Sequence, residues 1–264
     1  MNLELTSLHV LITGGSKGIG LACARGFIAE GARVTLVSRT IETLQSAQRE
    51  LQSVAPGATV NIIAADLRNA VEAERMVDAV ERDFGPVDVL VNSAGTAKRT
   101  PAAELTAESW HDAMQAKFFT YIHVINPLIK KMGERGRGAV VNVIGSGGKV
   151  AAVTHLAGGS ANAALMLASA GLAAAYAGKG VRVNAVNPGL TLTERLHEGM
   201  QAEARQQGIS MEEALTRAKA TRPLGRIAEP SEIADAVVYL ASNRASYITG
   251  AVVAMDGAVT PMVV

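Results

Sequence analysis

Residues 8–20 read Leu8-His9-Val10-Leu11-Ile12-Thr13-Gly14-Gly15-Ser16-Lys17-Gly18-Ile19-Gly20. A short run with four apolar residues out of five stops at Thr13, glycines follow, and helical spacing sets in from Gly18 to residue 29. Such a run is a buried strand. Glycines let the backbone turn sharply and approach a phosphate, whose charge is favoured at a helix N-terminus. The turn follows a strand, opens a helix and lies in a βαβ unit of about 30 residues, the context of dinucleotide binding.

The alternation continues outward. Strand-like runs cover 33–37, 60–64, 87–91, 138–144, 181–186 and 251–255, and helical spacing covers 41–54, 70–84, 108–132, 162–177 and 230–241. Uniformly apolar strands alternating with helices predict a parallel sheet covered on both faces. The expectation is an α/β fold, a Rossmann-type doubly wound sheet, in one domain over residues 1–264. Ligands bind beyond the carboxyl ends of such strands, and the junctions bearing Gly, Asn or Asp fall there. Residues 190–222 hold Leu192, Leu196, Met200, Ile209, Met211 and Leu215 among many charges. They predict one or two amphipathic helices laid over the cleft as a lid, and their apolar face suggests an apolar small-molecule substrate.

Composition narrows the function classes. At 48% hydrophobic and 19% charged, the 264 residues exclude disorder. With 25 basic against 24 acidic residues, nothing draws the chain to nucleic acid or an anionic membrane. A single cysteine excludes a disulfide framework and a thiolate zinc cluster, and no metal site is expected. The stretch 161–177 is apolar, but it contains Asn162, Ser169 and Gly171 and is short for a membrane span. It predicts a helix buried in protein. The N-terminus has no basic leader pattern, so the expected location is cytoplasmic.

The spacing of Gly14, Gly18 and Gly20 resembles the short-chain dehydrogenase/reductase family, and the resemblance covers nearly the whole chain. Asp66 is similar to the family's adenine-contacting Asp. Asn92-Ser93-Ala94-Gly95 is similar to its N-N-A-G turn, with Ser93 in place of the second Asn. Val183-Asn184-Ala185-Val186-Asn187-Pro188-Gly189 resembles the segment before the nicotinamide, and Thr193 stands where the family binds the carboxamide. Arg222-Pro223-Leu224-Gly225-Arg226 and Tyr247-Ile248-Thr249-Gly250 match its C-terminal region. The resemblance implies cofactor contacts from Gly14, Ser16, Lys17, Gly18, Ile19 and Gly20 in the first turn and from Ser38 and Arg39 after the second strand. It implies others from Asp66, Leu67, Asn92, Ala94, Gly95, Asn162, Pro188, Gly189, Thr191 and Thr193. It also implies a homotetramer, with the apolar tail at 261–264 docked on a neighbour.

The end of the second strand selects the cofactor. A carboxylate there accepts bonds from a ribose 2′-hydroxyl and repels a 2′-phosphate. Ser38 is neutral, and Arg39 beside it suits a phosphate, with Lys17 as a second cation. The expectation is NADP(H).

The catalytic positions depart from the family pattern. Its Tyr falls on Gly158 and its Lys on Asn162. Its Ser falls on Gly145, with Ser146 one residue later, and its Asn falls on Lys117. A glycine donates no proton, and a neutral amide does not depress a neighbour's pKa. His155, three residues before Gly158, offers an imidazole. Ser146 offers a hydroxyl, and Asn162 an amide for ribose hydroxyls. Lys117 either replaces the missing positive charge or extends to solvent. Tyr121, Tyr176, Tyr239 and Tyr247 lie far from the motif and are assigned to packing. Two readings stay open: an NADP(H)-dependent oxidoreductase with an altered proton path, and a cofactor-bound protein without redox activity.

Overall fold

The computed structural model describes residues 2–96 and 98–262. Val263 and Val264 of the expected tail lie outside the described residues. The chain alternates β1 (His9–Thr13), α1 (Gly18–Ala29), β2 (Arg33–Ser38), α2 (Ile41–Val54), β3 (Val60–Ala64), α3 (Ala70–Phe84) and β4 (Val89–Asn92). There follow α4 (Ala107–Ala113), α5 (Thr120–Glu134), β5 (Gly138–Val143), α6 (Leu156–Tyr176), β6 (Val181–Pro188), α7 (Glu194–Gln207), α8 (Met211–Ala220), α9 (Pro230–Ala241) and β7 (Val252–Met255).

All strand pairings are parallel, in the order β3-β2-β1-β4-β5-β6-β7. Alternate residues of each strand serve opposite faces. Val10 and Ile12 pack with Leu21, Phe27, Leu44 and Ile233 from α1, α2 and α9. Leu11 packs with Met76, Val80, Leu128 and Leu165 from α3, α5 and α6. Strands buried on both sides must be apolar throughout, which is why they were legible as runs. After β3 the chain returns to the centre of the sheet, so β1 and β4 are neighbours whose connections leave in opposite directions. That leaves a crevice above their carboxyl ends.

Two elements differ from expectation, one of them in two respects. The helix read over 108–132 is interrupted: α4 passes into a π turn at Met114–Phe119 before α5 begins. Helix α6 starts at Leu156, ahead of the expected 162, and takes in Gly158 and Gly159, two poor helix formers. Close packing requires the second of them, because a Cβ on Gly159 would stand 2.7 Å from the Gly147 carbonyl oxygen. By length and composition the stretch Leu156–Lys179 is long and apolar enough to cross a membrane. Here one face of α6 is buried on the fold through Ala161, Leu165, Ser169 and Ala173, while Leu167 is exposed. The helix is therefore half-buried, not enclosed as expected.

At the end of the sheet remote from the crevice, His9 is fully buried. Its Nδ1 lies 2.8 Å from the Gly85 carbonyl and its Nε2 2.8 Å from Thr35 Oγ1. Burial pushes its pKa below the ordinary 6.5, with the Arg33 charge adding to the effect. A group that resists protonation when folded adds stability above its unfolded pKa and loses it as pH falls toward the folded value. Thermal melts of wild type from pH 7.5 to 5.5 are therefore expected to show a falling Tm, with a shallower slope in His9→Asn.

Candidate functional site

A cavity of about 710 Å³ lies over the carboxyl ends of β1, β4 and β5 and beneath the start of α7. The glycine turn lines it through Gly14, Ser16, Lys17, Gly18 and Ile19, and the end of β2 through Ser38 and Arg39. Asp66 and Leu67 follow β3, Ala94 and Gly95 follow β4, and Pro188, Gly189 and Thr193 follow β6. Residues separated by up to 180 positions thus share one wall, as the strand-end argument requires.

Close packing dictates the glycines. A Cβ on Gly20 would lie 2.2 Å from the Gly14 carbonyl oxygen, and one on Gly14 would lie 2.8 Å from Ala94 N. Gly20 itself faces Gly14 and does not line the cavity. Helix α1 opens without a side-chain cap and with no acidic residue in its first turn. Its leading N–H groups are therefore left for an anion.

The remaining expected positions divide. Asn92 is fully buried, taking a bond from Thr13 Oγ1 at 3.1 Å and donating to Asn142 Oδ1 at 3.0 Å. It braces strand ends below the cavity and does not line it. Thr191 is also buried behind the wall. Thr193 caps α7, its hydroxyl oxygen accepting from Leu196 N at 3.3 Å, so its O–H proton remains to be given. Lys17 is ion-paired with Glu194 at 3.0 Å, both exposed. The Asp66 carboxylate is held by Arg68 at 2.6 Å, and that guanidinium pulls its pKa down. Arg68 was missed in sequence, although it stands two residues after Asp66.

Of the catalytic candidates, only Lys117 lines the cavity among the described residues. Residues 145–148 lie against the first turns of α6, where Gly147 would bring a Cβ to 3.0 Å from His155 Cδ2. Ser146 is half-buried in this loop. His155 Nδ1 and Asn162 Oδ1 are both buried without a partner. Burial and the charges of Arg99 and Lys117 lower the His155 pKa, so its imidazole is neutral at pH 7.

Lys117 does not extend to solvent. It is buried on the π turn, and its Nζ donates to Tyr121 Oη at 2.9 Å and to the Val143 carbonyl at 3.2 Å. Tyr121, assigned to packing, donates its own hydroxyl to the same carbonyl. Its spacing of four residues from Lys117, one helical turn, was the signal available. Burial, with the nearby positive charge of Arg195, pushes the Lys117 ammonium down to about 7, while burial pushes the Tyr121 phenol up.

The segment read as a lid forms two helices, α7 and α8, and its apolar residues are spent internally. Met200, Ala204 and Ala214 pack with Leu196, Ile209, Met211 and Leu215. What α7 presents to the cavity is Glu194 and Arg195.

Comparison with known proteins places these features. The family described as enoyl-(acyl carrier protein) reductase matches residues 14–260. D-threitol dehydrogenase of Mycolicibacterium smegmatis is 34% identical over 259 residues, covering 98% of this chain and 95% of its own. L-sorbose reductase of Gluconobacter frateurii, solved with NADPH and L-sorbose, superposes with a TM-score of 0.94 at 30% identity over 100% of both chains. A short chain oxidoreductase of Pseudomonas aeruginosa PAO1, solved with NADPH and described as containing an atypical catalytic center, gives a TM-score of 0.88. It is 31% identical, with 98% of this chain and 100% of that one covered.

The buried lysine has a measurable signature. Its pKa falls from the ordinary 10.5 to about 7, so its charged form opposes folding. The stability it withholds returns as pH rises from about 7 toward 10.5. Urea denaturation between pH 7 and 9.5 should show wild type gaining stability with pH, and Lys117→Met gaining less.

Proposed function

The chain belongs to the short-chain dehydrogenase/reductase family, and from that premise we propose that it is an NADP(H)-dependent oxidoreductase interconverting a carbonyl and an alcohol, with Lys117 moving the proton. The observation that carries this reading is buried Lys117, which lines the cavity and whose Nζ is fixed by Tyr121 Oη and the Val143 carbonyl.

The residues fit the cofactor. The uncapped start of α1 and the turn around Gly14 and Gly18 suit a pyrophosphate. Gly18 has φ near +58°, a conformation glycine adopts at no steric cost. Neutral Ser38 and cationic Arg39 suit a 2′-phosphate. Leu67, Pro188 and Gly189 offer apolar and backbone surface to the rings, and Thr193 retains a hydroxyl proton for the carboxamide. Asn162, expected to meet the ribose, does not line the cavity, and its buried Oδ1 has no donor in the protein. When bound, the nicotinamide supplies or accepts the hydride.

The protein's part is the proton. A group with a pKa of about 7 populates ammonium and amine together near neutral pH, as two-way transfer requires. An ammonium has three N–H groups; two are occupied by Tyr121 and Val143, leaving one for a substrate oxygen. Tyr121, its own proton held by burial, orients Nζ and is a positioning residue. Outward-facing Leu167 on the small-residue helix α6 supports self-assembly through that face.

NADPH oxidation over a panel of carbonyl compounds tests the reading. Lys117→Met is expected to lower kcat by about 10²–10⁴-fold, with His155→Ala close to wild type. The reductive kcat should decline as pH rises above about 7, because the ammonium is the donor. Arg39→Ala should weaken NADPH about tenfold, worth about 1.4 kcal/mol, and leave NADH unchanged. Carbonyl reduction that survives Lys117→Met sinks the proton assignment. Tight NADPH binding without turnover of any carbonyl favours the non-redox reading.

A further inference from the structure

Two cations from different elements approach Gly95 on the cavity wall. The Arg195 guanidinium, on the first turn of α7, donates to the Gly95 carbonyl at 3.2 Å. The Lys117 chain, from the π turn, is so close that a Cβ on Gly95 would lie 3.3 Å from its Cδ. Lys98, three residues further along the same loop, lines the cavity as well. Among the described residues, no carboxylate is ion-paired with any of the three.

The acidic groups of the cavity wall are engaged elsewhere. Asp66 is held by Arg68 and Glu194 by Lys17; Asp112, also on the wall, makes no ion pair among the described residues and its charge acts on Arg68. The groups around Lys117 are the Tyr121 phenol one turn on, Arg195 from α7, and His155 before α6 with Arg99 beyond it. None brings a negative charge. Lys117 is buried while Arg195 and Lys98 are exposed; like charges repel, and the Arg195 charge acts against the Lys117 ammonium. The apolar lid residues that pointed to an apolar substrate are packed on one another, so the surface left for substrate here is cationic.

We propose that the substrate is an oxo or hydroxy carboxylic acid, with Arg195 and Lys98 forming an anion subsite for its carboxylate next to Lys117. This rests on the oxidoreductase reading for the oxo and hydroxy part; the anion subsite stands on its own geometry. A guanidinium offers a planar fork that matches a carboxylate. Bound anion also offsets the repulsion between Arg195 and Lys117, raising the proton affinity of Nζ, so binding takes up a proton at Lys117.

Calorimetric titration of malonate and of neutral malonamide into NADP⁺-saturated protein at pH 7.5 tests this, run in two buffers of different ionisation enthalpy. Malonate is expected to saturate with net proton uptake, and malonamide to show no binding. Arg195→Gln should weaken malonate tenfold or more, Arg195→Lys should retain part of the affinity, and Lys117→Met should abolish the proton uptake. NADP⁺ affinity should be the same in wild type and both Arg195 variants. Equal binding of the two ligands, or no binding of either, overturns the subsite. So does an Arg195→Gln variant that loses NADP⁺ affinity and keeps malonate, since the cation then serves a cofactor phosphate. Malonate binding in a protein that reduces no carbonyl overturns the oxidoreductase reading and leaves the subsite standing. Reduction of neutral ketones without malonate binding does the reverse.

Discussion

A line of hydrogen bonds through the middle of the sheet sets the height of everything above it. Thr13 Oγ1 donates to Asn92 Oδ1, Asn92 Nδ2 to Asn142 Oδ1, Asn142 Nδ2 to Ser169 Oγ, and Ser169 Oγ to the Leu165 carbonyl. All four side chains are buried. Thr13 Oγ1 also accepts from Ser93 N and Ala94 N. In an apolar interior an unmade bond costs about 1–3 kcal/mol, so each link fixes the next. The chain ties the ends of β1, β4 and β5 to α6 in one register. The glycine turn, the turn after Asn92 and the loop after Val143 then leave the sheet at a common level, and the cavity is the space between them.

Much of this was readable in sequence because burial on both faces of a parallel sheet writes itself as apolar runs. The limits of α1, α2, α3, β3 and α9 agree with the spacing. The early start of α6 was hidden by Gly158 and Gly159, whose low helix propensity is overridden by a loop that only a glycine surface admits. The π turn was hidden because nothing in Met114–Phe119 breaks a helix: it contains neither Gly nor Pro. The site divides the same way. The cradle for phosphates is a local pattern and was legible. The environment of Lys117 is made by Gly95, Val143 and Arg195, distant in the chain, so its burial and depressed pKa were not. Asn92 shows the converse, a motif residue whose position was legible and whose role is to brace the sheet.

Beside the cavity, two glycine-bearing segments lie backbone on backbone. Residues 145–148 rest on the first turns of α6, and Gly148 has no room for a side chain against Ala163 and Met166. On the facing helix Lys117 reaches the end of β5, with Tyr121 one turn away. A lysine and a tyrosine are hydrogen-bonded to one another beside the cavity. Lys117 lines the cavity and Tyr121 lies behind it.

An α-helix keeps phase, each residue advancing by about 100°. The π turn breaks that phase, so α4 and α5 are two rotational frames joined in one rod. Lys117 lies within the junction. Removing a single residue upstream of it, inside the turn, would restore a continuous α-helix and swing Lys117 by about 100°, away from the cavity, with every amino acid of the wall still present. The placement of Lys117 on the cavity is therefore encoded in a length as much as in side chains, and an aligned chain that carries this lysine but differs by one residue in that helix would not present it there.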